Sequence, residues 1–377
     1  MKKGHKIKML KITESKENKK FDYDNRIKRL RNLTKETILI TKNENIFYLT
    51  GFKGTAGWLL IHNSKKYLLV DSRYFEQATK ITHKTSVVLV SNNYEGALVD
   101  LLKSIKVKEI TIARNGLYLS DYENIVLAMV SSSIKISVNK ANIDNIRIAK
   151  EKEEIKIIRD NLNRAEKAMT KTLAFIKENI TERELAAELE YQMRKEGGDK
   201  TAFDTILLFG ERTSLPHGMP TDRKLKLGDN ILMDFGLSRE GYKSDITRTF
   251  FFGKGNNFKE MSKIYNVVKE AHKKGIEAIH SGISGKEADN SAREIIKSNG
   301  YGKYFGHSLG HGVGLEIHEA PRLSPIIDNV LEGGTIVTVE PGIYIPDLGG
   351  VRIENMVIVT KDGGVSMNDT PTDLIVL

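Results

Sequence analysis

Four acidic residues and a run of histidines carry the reactive potential of this chain. Asp234 and Asp245, in "ILMDFG" and "DITRTFFF", flank "LSREGYKS", whose Arg239-Glu240-Gly241 suits a tight turn. A hairpin folded there sets the two carboxylates opposite or diagonal to each other. Like charges so placed repel, unless a pKa rises or a cation lies between them. Two solvated hairpin acids would be the bland reading, but the neighbours Ile231 to Met233 and Phe250 to Phe252 look buried. Glu340 ends the strand-like "TIVTVE" before Pro341-Gly342. Glu354 falls inside the otherwise apolar "VRIENMVIV", an expensive place for an unpaired charge.

The histidines lie in "FGHSLGHGVGLEIHEAP", residues 305–321. His307 and His311 are spaced i,i+4, but Gly306, Gly310, Gly312 and Gly314 argue against a regular helix. The pattern is therefore not the helical H-E-x-x-H zinc motif. It reads as extended backbone that other groups approach closely. His311, between two glycines, is the candidate metal ligand, and His318 is better placed to donate a hydrogen bond to substrate. His272 and His280, on a helical stretch at 258–280, read as packed or solvated residues.

Four carboxylates and one imidazole make an oxygen-rich, hard donor set. It suits Mn²⁺, Co²⁺, Zn²⁺ or Fe²⁺ better than thiophilic ions. Four negative charges call for more than one divalent cation. Two such ions, ~3.5–4 Å apart, would share bridging carboxylates and a hydroxide nucleophile, which points to metal-assisted hydrolysis.

The elements that must hold these groups are legible in outline. The chain has 377 residues, 40% of them hydrophobic, enough for two domains. There are no cysteines, so disulfides, thiolate metal sites and cysteine nucleophiles are excluded. No apolar run reaches the ~20 residues of a membrane span, and no signal peptide is evident, so a cytoplasmic protein without a membrane partner is expected. The net charge is +10, but residues 1–33 hold twelve Lys or Arg against four Asp or Glu. A frayed, lysine-rich tail accounts for that excess, and no nucleic-acid partner is expected for the body.

Residues 26–145 alternate strands and helices, among them "GWLLIHNSKKYLLVDS" with a turn at Asn63-Ser64, and a helix from "SRYFEQATK" with Ser72 as its cap. A long charged helix with apolar positions Ile155, Ile158, Leu162, Ala165 and Met169 opens the second part. Thr181 and Glu184 form a capping box at the next helix, which Gly197-Gly198 stops. This second part repeats itself. "LKLGDNILMDFG" (225–236) and "LEGGTIVTVEPG" (331–342) align without a gap, matching Asp234 to Glu340. Pseudo-symmetry would aim both acids at one centre.

With these motifs in place, residues ~150–377 resemble the pita-bread metallopeptidases: methionine aminopeptidase, aminopeptidase P and prolidase. The order Asp, Asp, His, Glu, Glu is met by Asp234, Asp245, His311, Glu340 and Glu354. The resemblance implies that Asp234 chelates one metal, that His311 and Glu340 bind the other, and that Asp245 and Glu354 bridge. It makes Glu340 the general base. It adds His217, in "SLPHGMP", which with His318 would contact substrate and steady the oxyanion. "NIFYLTGFKGTAGWLLI" and "LLVDSRYFEQA" resemble the creatinase-type N-terminal domain, which methionine aminopeptidases lack. His307 and Arg352 resemble the pair that holds the proline or a terminal carboxylate in aminopeptidase P and prolidase. Creatinase itself lacks the metal ligands, and all five are present here.

The resemblance thus implies a basic tail (1–24), an α/β creatinase-type domain (25–146) and an α+β pita-bread catalytic domain (147–377) with an internal pseudo-two-fold repeat. It implies a homodimeric enzyme with two divalent ions, manganese foremost, acting on small peptides with proline in second position. Aminopeptidase P is the leading reading and the Xaa-Pro dipeptidase, prolidase, the alternative. Trp58 is either a sheet-packing residue or a loop residue reaching a neighbouring subunit.

Overall fold

The structure, a computed structural model, describes residues 10–18 and 20–377. The chain divides into two compact units, one running to Arg147 and the other from Ile148 to Leu377.

The first unit runs β1 (Ile12–Glu14), α1 (Tyr23–Leu33), β2 (Ile38–Ile40), α2 (Asn43–Thr50), β3 (Trp58–His62), β4 (Lys65–Val70), α3 (Ser72–Ile81), β5 (Ser86–Leu89), α4 (Tyr94–Ser104), β6 (Glu109–Ile112), α5 (Leu119–Ser131) and β7 (Lys135–Val138). Its strands form one mixed sheet in the order β1-β5-β4-β3-β2-β6-β7. Leu59, Leu60, Leu68 and Leu69 are fully buried, so the central strands are apolar on both faces, as a covered sheet requires. Asn63 takes φ 54° at the β3–β4 turn, a conformation asparagine tolerates. Trp58 is half-buried with its ring centroid 5.0 Å from that of Tyr94, a sheet-packing position.

Two expectations change here. The cap of α3 is Asp71, whose extended backbone lets its carboxylate accept the Arg73 N–H at 2.9 Å; Ser72 is the first helical residue. The basic segment is not frayed throughout, because Ile12–Glu14 pairs antiparallel with β5 and supplies partners for an otherwise open strand edge. The rest of the tail expectation, at residues 1–9 and 19, lies outside the described residues.

The second unit opens with α6 (Lys152–Leu173) and α7 (Glu182–Lys195), followed by β8 (Lys200–Thr201), β9 (Ile206–Phe209), β10 (Asn230–Phe235), β11 (Leu237–Arg239), β12 (Tyr242–Lys243) and β13 (Ile246–Phe251). The pattern then recurs with α8 (Phe258–Ala278), α9 (Gly285–Ser298), β14 (Gly310–Gly312), β15 (Glu319–Leu323), β16 (Ile336–Val339), β17 (Gly342–Ile345), β18 (Gly349–Arg352), β19 (Asn355–Val359) and β20 (Gly364–Ser366). The second helix of each pair starts with the same device, a reciprocal box of Thr181 with Glu184 and of Ser284 with Glu287. In each half one strand is held between two antiparallel neighbours, β10 between β9 and β13, and β16 between β14 and β19. The turns leading into β10 and β16 place Gly228 and Gly334 at φ 97° and 86°, which only glycine adopts without strain. A continuous core joins α8 and α9 to these strands through Ile264, Val268, Ala292, Val337 and Val357, all fully buried. The protein is thus an α/β N-terminal unit followed by a duplicated α+β unit. Among the described residues no helix is long and apolar enough to cross a membrane.

Candidate metal centre

The duplicated strands deliver the acids in matched pairs. Asp234 lies in β10 and Asp245 immediately precedes β13; Glu340 immediately follows β16 and Glu354 immediately precedes β19. Asp234 faces Thr247 across the hairpin, so Asp245 is its diagonal neighbour. In the other half Val339 faces Asn355, and one further step in that register sets Glu340 against Glu354. Glu354 is not inside a strand, as the apolar run suggested. The chain changes partner there, β18 pairing with β17 and β19 with β16, and the Glu354 N–H donates to Thr247 O at 3.2 Å.

His311 reaches the same centre from β14. Gly310 permits this, because a Cβ there would collide with the Thr338 carbonyl of the adjacent strand. The Nδ1 of His311 lies 3.1 Å from Gly312 O, an acceptor only, so that nitrogen carries the proton. Its Nε2 then presents a lone pair 3.3 Å from Glu340 Oε1 and 3.6 Å from Asp245 Oδ2. Burial, with His318 alongside, holds the imidazole down at about 3, so it is neutral.

Three carboxylates, from Asp234, Asp245 and Glu354, each offer an oxygen within 4.8 Å of the others. Burial foremost, and then the neighbouring carboxylates, raise Asp245 and Glu354 well above the usual carboxylate range. Burial also pushes Glu340 up to about 7. Among the described residues Asp234 Oδ1 is buried without a hydrogen-bond partner. Oxygens and a nitrogen lone pair facing one another at these distances lack positive charge between them, so the donor set fits divalent cations.

Neighbouring groups fix the acids. Arg352 Nη2 donates to Asp234 Oδ2 at 2.5 Å, its Nε to Thr247 Oγ1 at 3.1 Å and its Nη1 to the Tyr344 hydroxyl at 2.7 Å. Thr247 in turn donates to Glu354 Oε2 at 2.7 Å, and Thr338 donates to Glu340 Oε1 at 3.0 Å. His307 Nδ1 faces Ser308 O, leaving Nε2 to accept from Tyr344 at 2.9 Å. The loop carrying His307 is clamped by α9, where Arg293 donates to Phe305 O and His307 O while Asp289 accepts the Leu309 N–H. Arg352, which the resemblance implies holds substrate, lines the cavity over the acids. It is buried and its nitrogens serve Asp234, Thr247 and Tyr344.

A cavity of about 710 Å³ opens over the acids. His217 and His318 stand exposed in its wall, the His318 ring 4.4 Å from that of His311. Thus Asp234, Asp245, His311, Glu340 and Glu354 meet at the floor, while His217, His307, His318 and Arg352 line the same space. His272 and His280 lie outside the lining, the first buried on α8 and the second exposed. Sequence reasoning missed Thr247, Thr338 and Tyr344. Alternation from Asp245 and Glu340 would have found the threonines, each two residues from an acid on the same strand face; Tyr344 carries no local signal.

The sequence model of metallopeptidase family M24 matches residues 156–361, and that of the Creatinase/Prolidase N-terminal domain matches residues 26–148. A Xaa-Pro dipeptidase of Pyrococcus furiosus is 40% identical over 344 residues, 90% of this chain and 95% of that relative. A solved Xaa-Pro dipeptidase from Bacillus anthracis superposes with a TM-score of 0.90 at 37% identity, covering 94% of this chain and all of the other. A solved X-Pro aminopeptidase from Thermotoga maritima gives 0.85 at 35% identity, over 93% of this chain and all of the other.

Proposed function

The chain belongs to metallopeptidase family M24 and is a hydrolase, and from that premise we propose that it cleaves the Xaa-Pro bond at the N-terminus of short peptides. The observation that carries the reading is the convergence of four carboxylates and the His311 Nε2 on one buried centre. Asp234, Asp245, His311, Glu340 and Glu354 would hold two divalent cations, manganese foremost. When bound, these ions neutralise the cluster, polarise the scissile carbonyl and make water acidic enough to attack near neutral pH.

The protein's own groups do the rest. Glu340, oriented by Thr338, takes the proton from the attacking water and returns it to the leaving nitrogen. His217 and His318, free in the cavity wall, donate to the developing oxyanion. Arg352 acts as a positioning residue for Asp234, with Tyr344 and His307 behind it. An Xaa-Pro amide has no N–H, so a site that grips extended backbone through that group loses its handle. This cavity instead meets the bond with histidines and carboxylates.

The cavity of about 710 Å³ lies within the usual ~300–1,000 Å³ range for small-ligand sites, and the likeness to an X-Pro aminopeptidase supports the aminopeptidase reading. The likeness to two dipeptidases favours prolidase as a second reading. Metal-loaded protein should be given Xaa-Pro and Xaa-Pro-Xaa peptides, with the released first residue measured by mass spectrometry. Release from neither rejects the proposal; release from the dipeptide alone selects the second reading. The proposal also takes the working form to be a cytoplasmic homodimer, which sedimentation and cell fractionation test.

A further inference from the structure

His217 stands exposed in the cavity wall on the connection between β9 and β10. An exposed ring takes its aim from its backbone, and one buried acid holds the backbone here. Glu182, the first residue of α7, is fully buried. Its Oε1 accepts the Phe209 N–H at 2.9 Å, and its Oε2 accepts the Thr221 N–H at 2.8 Å and the Thr221 hydroxyl at 2.7 Å. A single carboxylate thus closes the segment 209–221 at both ends. Arg212 Nε donates to both of its oxygens, at 3.1 and 3.0 Å. Arg212 Nη2 reaches on to Met219 O at 2.8 Å, just past His217 in the chain.

The helix itself does not require this side chain. Thr181 and Glu184 form the capping box of α7, and a solvated acid in the first turn would meet the helix dipole equally well. Burying the charge is costly unless every bond to it is made, and here the bonds go to the segment that carries His217. The other half of the unit repeats the device. Asp289 of α9, also fully buried, holds Arg293 at 2.6 and 2.9 Å and the Leu309 N–H at 2.9 Å, while Arg293 donates to the carbonyls of Phe305 and His307. Each half thus joins a buried acid, an arginine fork and the carbonyls of a stretch bearing a cavity histidine.

We propose that Glu182 is a positioning residue for His217, acting through Arg212 and the closed segment 209–221, so that the imidazole is held ready for the reacting carbonyl. The assignment rests on the function proposed above. In E182Q the amide nitrogen must face N–H donors whichever way it lies, so one end of the segment opens.

The test compares E182Q, R212K, H217A and E182Q/H217A with the parent. R212K keeps the counter-charge but lacks the fork that spans Glu182 and Met219 O, and it carries the same measurements if E182Q does not fold. Hydrogen exchange of chelator-treated protein, read by mass spectrometry, should show faster uptake over 209–221 in E182Q and R212K, with α9 and β16 unchanged. In metal-loaded protein acting on whichever Xaa-Pro peptide the parent cleaves, kcat should fall ~10–100-fold in both variants while KM stays within about threefold. In the H217A background E182Q should cost no more than about twofold, because its effect passes through that ring. Parent-like exchange over 209–221 overturns the clamp. An equal loss from E182Q with and without His217 makes Glu182 a support of the fold alone and overturns the positioning role. A parent that cleaves no Xaa-Pro peptide rejects the function proposed above, whereas the exchange measurement judges the clamp without it.

Discussion

Replacing Asp245 by asparagine should stabilise the protein in chelator and destabilise it, relative to the parent, in excess divalent cation. Asp245 is 4% exposed, and none of its neighbours donates a hydrogen bond to its carboxylate among the described contacts. Its oxygen lies within 4.8 Å of oxygens from Asp234 and Glu354. At that separation each ionised pair repels by about 3.5 kcal/mol at an effective dielectric of ~20. Protonation relieves the strain, but keeping an aspartic acid neutral at pH 7 costs about 4 kcal/mol from its ordinary pKa. The metal-free fold therefore carries a burden of ~2–4 kcal/mol that the amide removes, while its N–H can meet the His311 lone pair. For a unit of this size that corresponds to a rise of roughly 5–15 °C in Tm. Added Mn²⁺ should then raise the parent steeply and D245N little, so the order of the two midpoints inverts. Thermal unfolding followed by circular dichroism, with chelator and with cation, reads both effects. A lower midpoint for D245N in chelator, together with a parent indifferent to cation, would refute the picture of a repulsive cluster built around missing positive charge.

T247V removes the donor to Glu354 and the acceptor for Arg352, so kcat/KM should fall ~10–100-fold and urea stability by ~1–3 kcal/mol. His217 and His318 are exposed in the cavity wall; if they donate to substrate as proposed, H217A and H318A should each lower kcat about 10²-fold with Tm unchanged, as steady-state kinetics beside calorimetry will test. His272 is buried on α8 and burial holds it at about 3, against an ordinary 6.5. The unfolded chain therefore takes up this proton first as pH falls, and stability is lost at about 1.4 kcal/mol per pH unit between those values. H272L should lack this component, so urea titrations at pH 7 and 4.5 should show the variant gaining on the parent as the solution is acidified.

Spacing and residue chemistry alone were enough to indicate a duplicated unit, a hairpin between Asp234 and Asp245, the boxes that start helices, and a hard donor set around His311. These are local properties: a turn, a cap, an alternation of apolar and acidic positions, each set by neighbours a few residues away. The partner switch that leaves Glu354 between strands could not be read that way, nor could the pairing of Ile12–Glu14 with β5. Both depend on which strand edges are free once the sheets have assembled. Arg352 shows the same limit most clearly. Its position in "VRIEN" advertised a cation beside the site, but its bonds to Asp234, Thr247 and Tyr344 arise from strands more than a hundred positions apart for the first two. Sequence determined which groups had the chemistry. Tertiary structure decided which of them meet, because the distances governing charge repulsion and hydrogen bonding are set by packing across the duplicated strands.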